Sequence, residues 1–198
     1  MANRPRTTGV GFTLIELLIV IALMGILAAL VIPSANPAIR DQLIATAQIV
    51  AGDLGYARSL AVVNNSSYRF TFDLVGNRYT LQHSGTNPSL NTLPASLFEN
   101  PTNPPPTQYI VDLDELAHIG PTVRLFVVGT GDLNTVRPIT QMDFGPLGGL
   151  TSAQDVYFWL TAGNDRSQRY IYLLVSAATG LATVGDYGGT APAVVWGP

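Results

Sequence analysis

Residues 11–33 read GFTLIELLIVIALMGILAALVIP, and the rest of the chain is organised by what such a segment can do. At a helical rise of about 1.5 Å per residue, the stretch from Phe12 to Ile32 spans roughly 30 Å, the thickness of a bilayer's hydrocarbon core. Its one ionisable side chain is Glu16. A carboxylate costs about 2.5–3.5 kcal/mol at the centre of a membrane and less near an end, so an acid in this position calls for a partner. The spacing predicts a membrane-length helix with a functional group near its start.

The flank in front, MANRPRTTGVG, carries Arg4, Arg6 and the chain's amine and no acid. The positive-inside tendency holds this end in the cytoplasm and places the bulk of the chain outside. Two other readings of the segment stay open. A secretory signal has an apolar region of about 7–15 residues followed by a small-residue cleavage site; the present run is longer, although Ala28, Ala29 and Ala35 offer a weak site of that kind. A plain single-pass anchor is the other.

The whole chain has 198 residues, room for this helix and one domain of ordinary size. Ten arginines, no lysine and thirteen acids give a net charge of −3, which argues against broad electrostatic binding to nucleic acid. With no cysteine there is neither a disulfide framework nor a thiolate site. Only 12% of residues are charged, against 19 glycines and 14 prolines, a mix that suits a β-rich, loop-rich exported domain.

The run Gly11-Phe12-Thr13-Leu14-Ile15-Glu16 followed by unbroken apolar residues resembles the prepilin processing motif of the type IV pilin and type II secretion pseudopilin family. The resemblance implies that a membrane-embedded prepilin peptidase and methyltransferase cuts between Gly11 and Phe12 and methylates the new Phe12 amine. Gly11 has no side chain to obstruct a close backbone approach. Glu16 stands five residues into the mature chain, where the family keeps its acid, and Pro33 matches the family's helix-kinking proline. An amine and a carboxylate are each costly in an apolar filament core, and pairing them offsets the desolvation while fixing register. Glu16 can thus pair with the Phe12 amine of an adjacent subunit, or simply snorkel to the headgroups from the first turn. Gly25 and Pro33 both weaken a helix, so 25–33 can unwind in a filament; alternatively Gly25 supplies close helix packing.

Beyond the membrane segment, Ile39, Leu43, Ala47, Val50, Leu54, Ala57 and Ala61 recur at spacings of three and four, predicting an amphipathic helix within 34–66 that lays one face on a sheet. Asn36 and Pro37 suit its start, and Asn64-Asn65-Ser66-Ser67 its end. Arg40, Asp41, Gln48, Asp53 and Arg58 fall on its other faces as solvated groups. Tyr68, Phe70 and Phe72 alternate in one strand and Tyr79 and Leu81 in the next, joined at Val75-Gly76-Asn77 as a hairpin. Residues 84–107, with Pro104-Pro105-Pro106, read as a long surface loop. Further strands are expected near Tyr109–Leu113, Val123–Val128 and Ile139–Phe144, with a meander over Val156–Thr161, Arg169–Ser176 and Leu181–Val184. Phe144-Gly145-Pro146-Leu147-Gly148 ahead of these strands and Thr179-Gly180 near their end resemble the H-type minor pseudopilin and FimT-like subfamily, with Leu181 where that subfamily often has arginine.

Signals for other chemistry are weak. His83 and His118 lack metal-ligand spacing. Asp112, Asp114 and Glu115 can offer oxygens to Ca²⁺ but lack the pattern of a calcium-binding hand, and read as a solvated acidic turn. Gly129-Thr130-Gly131-Asp132 has no following lysine and reads as a turn. The expected architecture is therefore α+β and pilin-like. Residues 1–11 form a cleaved cytoplasmic leader, 12–33 a transmembrane assembly helix, 34–66 an amphipathic periplasmic helix, and 67–198 an antiparallel β-rich domain. The implied role is a non-enzymatic filament subunit of the cytoplasmic membrane, for type II secretion or a type IV pilus, needing no cofactor. Its implied partners are the processing peptidase, other pilin or pseudopilin subunits and membrane lipid. A secreted substrate is a further candidate partner, and an alternative role is a filament-borne binding module for DNA or a surface ligand, with Arg69, Arg78, Arg124, Arg137, Arg166 and Arg169 as contacts.

Overall fold

The structure is a computed structural model describing residues 13–31, 39–93, 107–116 and 123–196, with the side chains of the first helix described for 13–24. The chain divides into two compact units, 1–36 and 37–198. The first holds α1 (Leu14–Val31). Glu16 N–H donates to the Thr13 carbonyl at 3.1 Å and to Thr13 Oγ1 at 3.3 Å, and Leu17 N–H to the Thr13 carbonyl at 3.2 Å. Thr13 is therefore the N-cap, and it satisfies amides that the helix itself cannot. Among the described residues no helix is long and apolar enough to cross a membrane. The 18 residues of α1 extend about 27 Å, so the spanning of 12–33 remains an inference from sequence. Gly25 lies within α1; Gly11, Phe12 and Pro33 lie outside the described residues, as do Asn36 and Pro37.

The second unit begins with α2 (Ile39–Val63), which buries Leu43, Thr46, Ala47, Val50, Leu54, Ala57 and Ala61, the expected stripe with Thr46 added. It closes on Asn65 in the left-handed region (φ 46°), with Asn65 N–H donating to the Val62 carbonyl and Ser66 N–H to the Ala61 carbonyl. These two bonds make the paired cap that a left-handed residue after a helix permits.

Ten strands follow: β1 (Tyr68–Asp73), β2 (Arg78–His83), β3 (Gln108–Asp112), β4 (Val123–Gly131), β5 (Thr135–Pro138), β6 (Gln141–Phe144), β7 (Val156–Ala162), β8 (Arg169–Val175), β9 (Ala182–Gly188) and β10 (Ala193–Val194). The single sheet expected from sequence is two, ordered β3-β2-β1-β6 and β10-β5-β4-β7-β8-β9. Every pairing is antiparallel except β10 on β5. One core joins the α2 stripe to the inward residues of both sheets, including Tyr68, Phe70, Phe72, Tyr79 and Leu81 as expected. Phe72 of the first sheet meets Phe158 of the second edge to face at 4.9 Å, so the two sheets share one apolar interior.

Three local expectations change. Gly129, Thr130 and Gly131 belong to β4, and the turn begins at Asp132, whose Oδ1 accepts from Asn134 and Thr135 N–H at 2.8 Å each. A Cβ at Gly129 would lie 2.1 Å from the Arg137 carbonyl oxygen, so the glycine serves strand contact rather than a turn. Ile139 is not in a strand; it follows β5, and its N–H donates to the Val128 carbonyl. In the 84–107 stretch, a 3-10 turn at Pro88–Leu90 is capped by Asn87, and Leu93 is buried, so the segment is not wholly superficial. Residues 94–106, with the three prolines, lie outside the described part.

Candidate assembly segment

The described side chains of α1 are exposed on every face, with Leu14, Ile15, Leu17, Leu18, Ile19, Val20, Ile21, Leu23 and Met24 all open. A helix that is apolar all round, unlike an amphipathic one, needs a complete apolar environment: lipid, or other helices. Glu16 interrupts this surface and is itself exposed. It stands in the first turn, where the positive end of the helix dipole favours a carboxylate. Thr13 and Glu16 have the spacing of a capping box, a helix-start signal that overlaps the cleavage motif.

In the second unit the structure separates residues expected to act together. Of the six candidate arginines, Arg69 makes a two-pronged ion pair with Asp143 (2.8 and 3.0 Å) and Arg78 pairs with Asp73 at 3.1 Å. Arg169 donates to the Arg166 and Gln168 carbonyls. Five of the six are divided between the two sheets and Arg166 sits in the 3-10 turn Asp165–Ser167, so the described residues do not gather them on one element. His83 is buried, with Nε2 at 2.7 Å from Ser66 Oγ and Nδ1 at 2.7 Å from Asn91 Oδ1, both nitrogens thus engaged in fastening a loop. His118 lies outside the described residues. Among the described residues no group of three His, Cys, Asp or Glu can hold a metal ion.

Two polar residues expected to be inert are structural instead. Asp53, read from sequence as solvated, accepts from the Tyr79 hydroxyl on one carboxylate oxygen and from the Tyr109 hydroxyl on the other at 3.0 Å. Burial raises the Asp53 carboxyl above its ordinary value and outweighs the two hydroxyl donors, which lower it. Burial likewise holds the Tyr79 hydroxyl well above its ordinary value, with the Asp53 charge adding to it. Arg58, half-buried, is tied down too, donating from Nε to the Thr179 carbonyl at 2.7 Å. The acidic turn is no free cluster either. Asp112 caps Asp114 N–H, and Asp114 Oδ1 accepts from Asn77 Nδ2 at 2.7 Å.

Asn77 is the residue that sequence reasoning undervalued most. The hairpin sequence places it in a turn, and its φ of 49° agrees, yet it is only 2% exposed. Its Nδ2 also donates to the Val123 carbonyl at 3.0 Å, its Oδ1 accepts from Leu125 N–H at 2.9 Å, and its own carbonyl accepts from Leu113 N–H at 3.0 Å. One side chain thereby ties the β1–β2 hairpin of the first sheet to β4 of the second.

Residues 11–32 match the family described as the prokaryotic N-terminal methylation motif. The match covers the segment that α1 occupies. Among solved structures, the chain is similar to the type IV minor pilin FimU of Pseudomonas aeruginosa, at 17% identity over 74% of this chain and 90% of that one, with a TM-score of 0.47. It is also similar to EpsH, the minor pseudopilin of the Vibrio cholerae type 2 secretion system, at 12% identity over 73% of this chain and 96% of that one, with a TM-score of 0.46. No curated protein matches the chain.

Proposed function

We propose that this chain is a structural, non-enzymatic pilin-like subunit, made with its N-terminus in the cytoplasm and its second unit outside the cytoplasmic membrane. A prepilin peptidase cuts it between Gly11 and Phe12 and methylates Phe12, and α1 then assembles with the helices of other subunits into a filament for secretion or a pilus. The observation that carries this reading is the methylation motif at 11–32 lying on a helix that is apolar on every described face except for one acid in its first turn.

The geometry supplies a physical reason for that acid. Cutting before Phe12 leaves a cationic amine one residue ahead of the Thr13 cap. A positive charge there adds to the positive end of the helix dipole and is unfavourable. The Glu16 carboxylate, within the first turn, offsets it on its own helix or on a neighbour's. Pairing between neighbours would penalise every stagger that separates the two charges. Gly25, a weak helix former within α1, lowers the cost of local unwinding as subunits slide.

Mass spectrometry of the mature N-terminus tests the processing step: a methylated Phe12 is expected, and a start elsewhere refutes it. For the register, Glu16→Ala should insert in the membrane normally but enter filaments poorly. Filament incorporation equal to wild type would remove Glu16 from the mechanism.

A further inference from the structure

The face of the six-stranded sheet opposite α2 carries a second apolar cluster of Val127, Val136, Trp159 and Tyr170, with Phe126, Tyr157 and Tyr172 packed on it. Alternation explains the division: in β7 Phe158 and Leu160 point into the main core and Trp159 between them points outward. The register shifts on both sides of Trp159. Phe126 is an extra residue in β4 opposite β7, and in β9 both Gly185 and Asp186 oppose Tyr172 alone. Such bulges re-aim side chains and recur beside binding sites.

At the second bulge the missing side chain matters. A Cβ on Gly185 would fall 2.1 Å from Cζ of Tyr172, so the tyrosine ring lies against bare backbone and is fixed there. That ring meets Trp159 at 5.3 Å between centroids, with 38° between planes. A cavity of about 470 Å³ opens beside the two rings, lined also by Tyr187, Asp186, Leu133 and Asn134. Its size is that of a small-ligand site. Asp186 is the one charged residue among its lining residues; it is exposed, and no arginine pairs with it among the described residues.

Aromatic faces present negative charge, and cations within about 6 Å of a ring centroid are attracted to them. A carboxylate at the rim of the same cavity adds to that field, and an anion would be repelled by both. From this we propose that the cavity between the Trp159–Tyr172 pair and Asp186 binds an organic cation, an alkylated ammonium or guanidinium group. The cation's apolar substituents lie against the rings and its charge faces Asp186. The site is independent of α1 and of the filament reading.

The test uses the full chain in a polyoxyethylene detergent, whose head group carries neither charge nor sugar. Trp196→Phe leaves Trp159 as the single tryptophan, and its fluorescence is titrated with choline and with 3,3-dimethylbutan-1-ol, a neutral molecule of the same shape. N-acetylarginine amide forms a third arm and glucose a fourth. The expected result is a saturable change with choline or the arginine derivative and binding of the neutral alcohol weaker by about fivefold or more. Asp186→Asn, at an exposed position, should weaken cation binding about fivefold. Tighter binding of choline assigns the site to a small molecule or lipid head group, and tighter binding of the arginine derivative assigns it to a protein side chain. Equal responses to choline and the alcohol, no saturable response to either cation, an unchanged Asp186→Asn variant, or stronger binding of glucose would each overturn the proposal.

Discussion

Replacing Asn77 by aspartate changes one nitrogen to oxygen at a buried junction, so its cost can be worked from the contacts. Aspartate keeps the acceptor for Leu125 N–H and the backbone bond from Leu113, but it loses both donors of Nδ2, to Asp114 Oδ1 and to the Val123 carbonyl. Two lost hydrogen bonds cost about 1 kcal/mol each, and leaving the buried Val123 carbonyl poorly satisfied adds on the order of 1–2 kcal/mol. The new carboxylate would also face Asp114 where a 2.7 Å hydrogen bond now stands. Together these predict a loss of about 3–4 kcal/mol at neutral pH, or roughly 6–16 °C in Tm for a domain of this size. The repulsion has a pH signature. In the variant two carboxylates face each other, and a proton shared between them relieves the repulsion and restores a donor. The deficit should therefore shrink as the pH is lowered towards 4. Thermal unfolding of the full chain followed by near-UV circular dichroism at pH 7 and pH 4.5 measures both effects. A Tm within about 2 °C of wild type at pH 7, or a deficit that grows in acid, would refute the claim that Asn77 joins the sheets.

Asp53 gives a second pH-dependent outcome. Its folded-state carboxyl value is raised by burial, so its contribution to stability is full below the ordinary value of 3.8 and is lost as the pH rises through the raised value. Asp53→Asn does not titrate, so wild type should gain stability relative to that variant as the pH falls from 7 to 4; denaturant titrations showing a flat difference would contradict this. Thr46 Oγ1 is fully buried with no hydrogen-bond partner among the described residues. Thr46→Val keeps the shape and removes the orphaned hydroxyl, so it should stabilise the unit by about 1 kcal/mol, and a loss of stability in urea would show that the hydroxyl has a partner. Gly185→Ala must displace the Tyr172 ring; changed near-UV circular dichroism with unchanged far-UV signal is expected, and identical near-UV spectra would show that the ring is not seated there.

What the sequence revealed, and what it hid, divides along a physical line. The hairpin, the α2 stripe and the β7–β8–β9 meander depend on periodicity within short windows, and those were legible: Phe70 and Leu81 are buried where alternation puts them. The α1 segment was legible for the same reason, since an unbroken apolar run needs no tertiary context. The two-sheet arrangement was not, because nothing local in Thr135–Pro138 or Ala193–Val194 marks them as strands; their pairing comes from β4 and from each other. The same holds for Asp53, which looks solvated on a helical wheel. It acquires its role only because Tyr79 and Tyr109 arrive from strands 26 and 56 residues away.

The two bulges carry the point further. Strict alternation would be the sequence-based default; counted from Val123 in β4 it would turn Val127 inward, and counted from Ala182 in β9 it would turn Asp186 inward, away from the face each occupies. The aromatic cavity takes Asp186 from the β9 shift, so it could not be read from pattern alone. α1 differs in kind: its apolar surface has no burial within the described chain, whereas the second unit closes its own core. Perturbations should separate accordingly. Asn77→Asp strikes a junction inside the second unit and should lower its melting temperature without touching the cleavage motif. Glu16 belongs to the first unit and the core to the second, so Glu16→Ala should leave the same melting transition in place while filament incorporation falls. If Glu16→Ala also lowered the melting transition of the second unit, the separation of an assembling helix from a self-sufficient β unit would be wrong, and the role of Glu16 would have to be sought in folding instead.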